Sequence, residues 1–216
     1  MALFELSRRS RVLTDIRATI GALFGRLNIP PDLWTFITLI AAVIAAYLII
    51  LEQFILGALF IAVSGFFDVV DGAVARHTGR VTKMGAYLDT IADRYAEFLY
   101  LLPLFFLPLP AVAVLPPNVW AALCLFGAMT TTYAKAAAKE KELGIEEIRG
   151  GILERAERVS LLFVGFLSAS VDITYLSYVI IILAVLANIS ALQRINKTLS
   201  LAAKTVKKDE KRGGKR

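Results

Sequence analysis

Residues 68–93 read DVVDGAVARHTGRVTKMGAYLDTIAD, so that Asp68 and Asp71 close one apolar run while Asp89 and Asp93 open the next. An aspartate near the centre of a membrane helix costs about 2.5–3.5 kcal/mol even on lenient insertion scales, so these carboxylates require counter-charge. Positions three and four apart lie about 60° and about 40° apart around a helix axis, and each pair therefore projects from one face. Asp68 and Asp71 also sit near the negative end of their helix dipole, where a bound cation relieves the conflict. Hard carboxylate oxygens on two facing helices suit Mg²⁺, Mn²⁺ or Ca²⁺. Zinc is a poor fit, because His77 is the only histidine and Cys124 the only cysteine.

Outward from this stretch the chain is strongly apolar: 57% of its 216 residues are hydrophobic and the mean hydropathy is +0.67, beyond the range of an ordinary soluble domain. Apolar runs over residues 33–51, 54–75, 85–107, 112–135, 157–171 and 173–193 predict an all-α integral membrane protein with six transmembrane helices, the fifth short. Residues 1–26 mix Arg8, Arg9, Arg11, Arg17 and Arg26 with Leu3, Phe4, Leu6, Val12, Leu13, Ile16 and Ile20. That pattern predicts an amphipathic helix on the cytoplasmic surface of the cell membrane, not a cleaved leader.

Apart from Arg94, every lysine and arginine falls before residue 33, within 76–83, within 135–158, or from Arg194 onward. The positive-inside rule then sets both termini, and both aspartate pairs, on the cytoplasmic side. The net charge of +6 flanks apolar runs and lines no soluble face, which excludes a nucleic-acid-binding protein. Residues 198–216 form a polybasic cytoplasmic tail suited to anionic headgroups. Cys124, alone in an apolar run, is expected to be a small core residue.

The residue types fit phosphate chemistry. Gly72, beside Asp71, lets a phosphate approach the helix backbone, and Gly85 does the same on the facing helix. Arg76 offers a planar fork of donors to a phosphate, and Thr82 adds a hydroxyl from the connecting loop. Glu97 follows Asp93 by four and is expected to pair with a neighbouring basic group.

Asp68, Asp71, Gly72, Ala75, Arg76, Gly85, Asp89 and Asp93 together give D-x-x-D-G-x-x-A-R, eight residues, then G-x-x-x-D-x-x-x-D. This pattern resembles the signature of the CDP-alcohol phosphotransferases, membrane enzymes that move a phosphatidyl-type group from a CDP-linked lipid to a hydroxyl acceptor and release CMP. The resemblance implies a transmembrane catalytic domain over residues 27–197, acting in phospholipid biosynthesis as a homodimer. It implies that Asp68, Asp71, Asp89 and Asp93 bind two Mg²⁺ or Mn²⁺ ions, that Asp93 is the base, and that Gly72 and Arg76 contact the CDP moiety. The family's Pro-Asn-x-x-Thr segment is matched by Pro31, Asp32 and Thr35, where Asp32 replaces the amide and is read as a helix N-cap.

Tyr133, Lys135 and Ala136, with Glu154, Arg155, Glu157 and Arg158 beyond Gly151, resemble segments of the phosphatidylinositol-phosphate synthase branch. There, matching cations hold inositol phosphate. Lys135, Arg155, Arg158 and Arg194 are thereby implied to clamp the acceptor phosphate. The lipid donor is CDP-diacylglycerol or CDP-archaeol. Glycerol phosphate, as in phosphatidylglycerophosphate synthases, is the alternative acceptor, and a cation transporter with the acids along its ion path is the alternative of another class.

Overall fold

The computed structural model describes the backbone of residues 2–143 and 152–213, and the side chains of residues 14–143 and 152–203. Gly151 and the side chains of the polybasic tail from Lys204 onward lie outside these described residues. Among the described residues seven α-helices follow one another: α1 (Ala2–Gly25), α2 (Pro31–Ile50), α3 (Phe54–His77), α4 (Lys83–Leu101), α5 (Pro117–Glu140), α6 (Arg155–Ala169) and α7 (Ile173–Gly213). A 3₁₀ turn, Leu102–Phe105, extends α4. No strand occurs among the described residues.

Each expected apolar run is helical, yet among the described residues, by length and composition, only α2, α3 and α7, the last over Ile173–Ala203, are long and apolar enough to cross a membrane. Two run boundaries move for a local reason. Pro103 lacks an amide proton, and the third run tightens from α-helix to 3₁₀ just before it. The fourth run starts as a helix only at Pro117, with Pro116 at the N-cap, because proline is tolerated in the first turn and not inside. At the other end, residue 198 marks no helix end, since α7 runs on to Gly213.

The chain divides into two compact units, Met1–Pro103 and Leu104–Arg216. In the first, α2 and α3 meet through small residues: Ala41, Ala42, Ala45 and Ala46 are buried opposite Gly57 and Ala58. A Cβ on Gly57 would run into Ile49, which is the close backbone approach expected where lipid gives no hydrophobic drive and packing must hold helices together. Tyr100 on α4 donates to Ser64 Oγ at 2.7 Å, and Ser64 donates to the Thr38 carbonyl at 2.8 Å, joining α4, α3 and α2 in one buried chain. Trp34, Val70 and Val74 form a core against which Ile20 and Phe24 of α1 pack. Phe24 meets the Trp34 ring edge-on at 5.4 Å.

In the second unit α5 lies on α7 through Gly127. A Cβ there would be 2.8 Å from the Asn188 amide nitrogen. Asn188 Nδ2 donates to the Leu123 carbonyl at 2.9 Å and to the Ala184 carbonyl at 2.8 Å. Cys124 is a buried core residue, as the sequence implied.

Gly127→Val should therefore force α5 off the α7 backbone, at a cost of about 1–3 kcal/mol. Gly65→Ala, where nothing lies within 4 Å of the new Cβ, should instead stabilise by about 1 kcal/mol. Melting of the two purified variants in detergent checks the opposite signs.

Candidate active site

Three helix ends of the first unit build the site: the start of α2, the end of α3 and the start of α4. The turn from α3 to α4 needs a left-handed residue, supplied by Gly79 at φ +66°, and the Arg80 amide bonds back to the Ala75 carbonyl at 3.0 Å. Thr82 then caps α4, its hydroxyl accepting from the Gly85 amide at 2.9 Å. With one turn of α3 and one of α4 so fixed, the aspartates follow.

Asp68, Asp89 and Asp93 each offer an oxygen within 4.8 Å of the others. Oxygen ligands of a hard divalent ion stand about 2.0–2.6 Å from the metal, so donors around it lie within about 5 Å of one another, and the three carboxylates fit such an ion. Asp71 stands outside that group. It is only 5% exposed, and its Oδ2 accepts from the Thr35 hydroxyl at 2.9 Å.

Thr35 and Asp71 both border a cavity of about 270 Å³, and Pro31, Gly72, Arg76 and Thr82 border it as well. Every residue read from the sequence as nucleotide-binding thus borders one cavity. A second cavity of about 200 Å³ takes in Asp68, Asp71, Asp89 and Asp93. The two glycines border the cavity and also serve their neighbours. The guanidinium nitrogens of Arg76 lie 3.3 Å from where a Gly72 Cβ would be, so the bare position seats Arg76 along the helix. At Gly85 a Cβ would stand 3.1 Å from Thr82 Oγ1, so this glycine makes room for the cap.

Asp32 is not the N-cap of α2. Pro30 holds that position with extended backbone and Pro31 is the first helical residue, so Asp32 falls in the first turn, where its charge meets the positive end of the dipole. Its side chain borders the 270 Å³ cavity and lies 3.5 Å from the Gly85 Cβ position. Two cations were not singled out from the sequence as ligand-binding. Arg80 borders the same cavity with its Nη2 donating to Asn28 Oδ1 at 3.0 Å, and Arg17 of α1 borders the acidic one.

Glu97 pairs with a neighbouring cation as expected: Arg94 Nη1 lies 3.1 Å from its Oε2, and Arg94 Nη2 lies 3.7 Å from Asp93 Oδ2. Glu97 is 1% exposed, so this pair is a buried one.

In the second unit, Arg194 donates to the Thr131 carbonyl at 3.0 Å and stands 3.9 Å from Glu154. Arg158 is buried, donating to the Leu153 carbonyl at 3.3 Å, while Arg155 is half-buried at the start of α6 and Lys135 is exposed on α5. Glu157 accepts from the Glu154 amide at 2.9 Å and completes a capping box. Of the two glutamates, then, Glu154 faces an arginine and Glu157 serves the helix end.

The family model of the CDP-alcohol phosphatidyltransferases matches residues 28–200. The chain belongs to that family, and it is a membrane-lipid transferase. It is 31% identical to the archaetidylinositol phosphate synthase of Pyrococcus horikoshii, over 82% of this chain and 87% of that one. The phosphatidylinositol phosphate synthase of Mycolicibacterium smegmatis is 32% identical over 65% and 62%. Among solved structures, the phosphatidylinositol phosphate synthase of Mycobacterium tuberculosis with CDP-DAG bound superposes with a TM-score of 0.73 at 27% identity, covering 85% of this chain and 94% of that one. The same enzyme with manganese and citrate gives 0.72 at 26% identity, covering 85% and 88%. A cation transporter is thereby set aside, and divalent-metal use agrees with the carboxylate geometry.

Glu97→Ala should deprive Arg94 of the nearer of its two carboxylates and cost about 2 kcal/mol of stability. Chemical denaturation of the detergent-solubilised variant measures it; a change below about 0.5 kcal/mol would remove Glu97 as the partner that matters.

Proposed function

We propose that the protein transfers the phosphatidyl-type group of CDP-diacylglycerol or CDP-archaeol to inositol phosphate and releases CMP. The observation that carries this reading is the coincidence of two sets of groups: the three-carboxylate cluster beside a nucleotide-sized cavity, and the arginines at the start of α6 and on α7 that match the inositol phosphate branch. Six spans, with both termini and the carboxylates cytoplasmic, agree with the positions of the basic residues. A homodimer in the cell membrane is expected from the family.

Asp68, Asp71, Asp89 and Asp93 hold two Mg²⁺ ions, which when bound neutralise charge gathering on the phosphate oxygens. Pro31, Thr35, Gly72, Arg76 and Thr82 seat the CDP moiety. The Thr35 bond keeps Asp71 turned toward the cavity, and Arg76 presents its fork to a phosphate. Asp93 takes the acceptor's hydroxyl proton as that oxygen bonds to the lipid-side phosphorus, and the bond from phosphorus to the CMP oxygen breaks. Lys135, Arg155, Arg158 and Arg194 hold the acceptor phosphate. The 1–26 segment, the catalytic domain over 27–197 and the tail from 198 complete the organisation.

Purified protein given a CDP-lipid, Mg²⁺ and a panel of phosphorylated alcohols should release CMP with inositol phosphate preferred. Release with glycerol phosphate alone would reassign the acceptor. Asp89→Asn should lower turnover by at least about a hundredfold, with partial recovery in excess Mg²⁺; wild-type turnover would undo the metal assignment. Lys135→Ala should raise the acceptor KM by about tenfold and leave the donor KM in place, as loss of one charged hydrogen bond implies.

A further inference from the structure

Helix α1 runs alongside the end of α3 in a fixed register. Arg80 donates to Asn28, a separation of 52 residues. The same separation sets Gly25 against His77, whose ring carbon lies 3.1 Å from a Gly25 Cβ, and Gly21 against Ala73, whose carbonyl oxygen lies 2.7 Å from a Gly21 Cβ. Residues 17, 21 and 25 share one helix face, since four residues make about one turn. Continued back by that turn, the register sets Arg17 opposite Val69, next to Asp68. The second cavity confirms the placement, being bordered by Arg17 together with Asp68, Val69, Asp89 and Asp93. Asp93 borders this cavity and does not border the nucleotide-sized one.

We infer that Arg17 is a phosphate-binding residue, supplied by α1 to the side of the acidic cluster where the acceptor oxygen meets the lipid-side phosphorus. The inference rests on the transfer reading above. The Arg17 side chain is exposed, so its guanidinium donors are open to a ligand, and its planar fork matches phosphate oxygens. The carboxylates facing it are engaged by divalent ions in the working enzyme, which leaves a phosphate as the anion for Arg17 to meet. That phosphate belongs to the donor lipid or to the phosphorylated acceptor, and kinetics separates the two.

The test measures CMP release by full-length wild type, Arg17→Ala, Arg17→Lys and Arg26→Ala against varied donor and varied acceptor, with CDP affinity measured by calorimetry. Arg17→Ala should raise one KM about tenfold, with Arg17→Lys between it and wild type and Arg26→Ala unchanged. A shift in the donor KM assigns the lipid phosphate; a shift in the acceptor KM assigns the acceptor's own. CDP affinity should stay within about twofold, because Arg17 does not border the nucleotide-sized cavity, although Gly72 and Arg76 border both. Gly21→Leu, which must push α1 away from Ala73, should reproduce the KM shift. Unchanged KM values in Arg17→Ala overturn the inference, as does a parallel loss of CDP affinity, which would make Arg17 a prop for α1. A rise in Mn²⁺ affinity with both KM values unmoved also overturns it, leaving Arg17 as a counter-ion for the carboxylates. Wild type that releases no CMP from either CDP-lipid with any acceptor defeats the transfer reading itself and takes this inference with it.

Discussion

Mutual repulsion among Asp68, Asp89 and Asp93, held with oxygens within 4.8 Å of one another, is the constraint around which the first unit is arranged. Like charges so close repel one another unless something positive intervenes. Inside the protein that something is Arg94, which touches Asp93 and is itself held by the buried Glu97. Asp71 is treated differently, with a neutral hydroxyl donor from Thr35 in place of a cation. A divalent ion among the three oxygens would relieve the same repulsion.

Bringing the carboxylates together needs backbones at close quarters more than it needs strong local interactions. Gly57 admits Ile49 between α3 and α2, Gly21 lets α1 lie on Ala73, and the hydrogen-bonded chain from Tyr100 through Ser64 to Thr38 fixes α4 against both. Each contact sits away from the acids, yet each sets where a helix end points. The site inherits its geometry from small residues one to three turns distant.

Much of this was legible in the sequence because the signals were chemical and local. The offsets of the aspartates bring Asp68, Asp89 and Asp93 together, all four border one cavity, and the apolar runs are helical. Glu97 found its cation because a buried acid has few other options. What the chain did not disclose depended on tertiary register. Nothing around Arg17 in sequence links it to Asp68, since that link arises only when Gly21 and Gly25 set α1 against α3. Asp32 misled because its type suits an N-cap, whereas the consecutive prolines Pro30 and Pro31 had already fixed the helix start one residue earlier. The closeness of Arg76 to the bare Gly72 position was likewise not legible, although Gly72 does border the cavity.

Helix α4 bears Asp89, Asp93, Arg94 and Glu97, and four charged groups delivered into hydrocarbon alone would cost on the order of 10 kcal/mol. It does not meet the hydropathy that lets a segment leave the translocation machinery unaided. The Arg94–Glu97 pair offsets part of that cost within the helix, and the Tyr100 bond to Ser64 supplies a polar partner only once α3 is in place. Helices α2 and α3, both long and apolar enough to cross a membrane, thus serve as the receptacle for α4. Along the chain they precede it, so the Ser64 hydroxyl that meets Tyr100 is already made when α4 emerges from the ribosome.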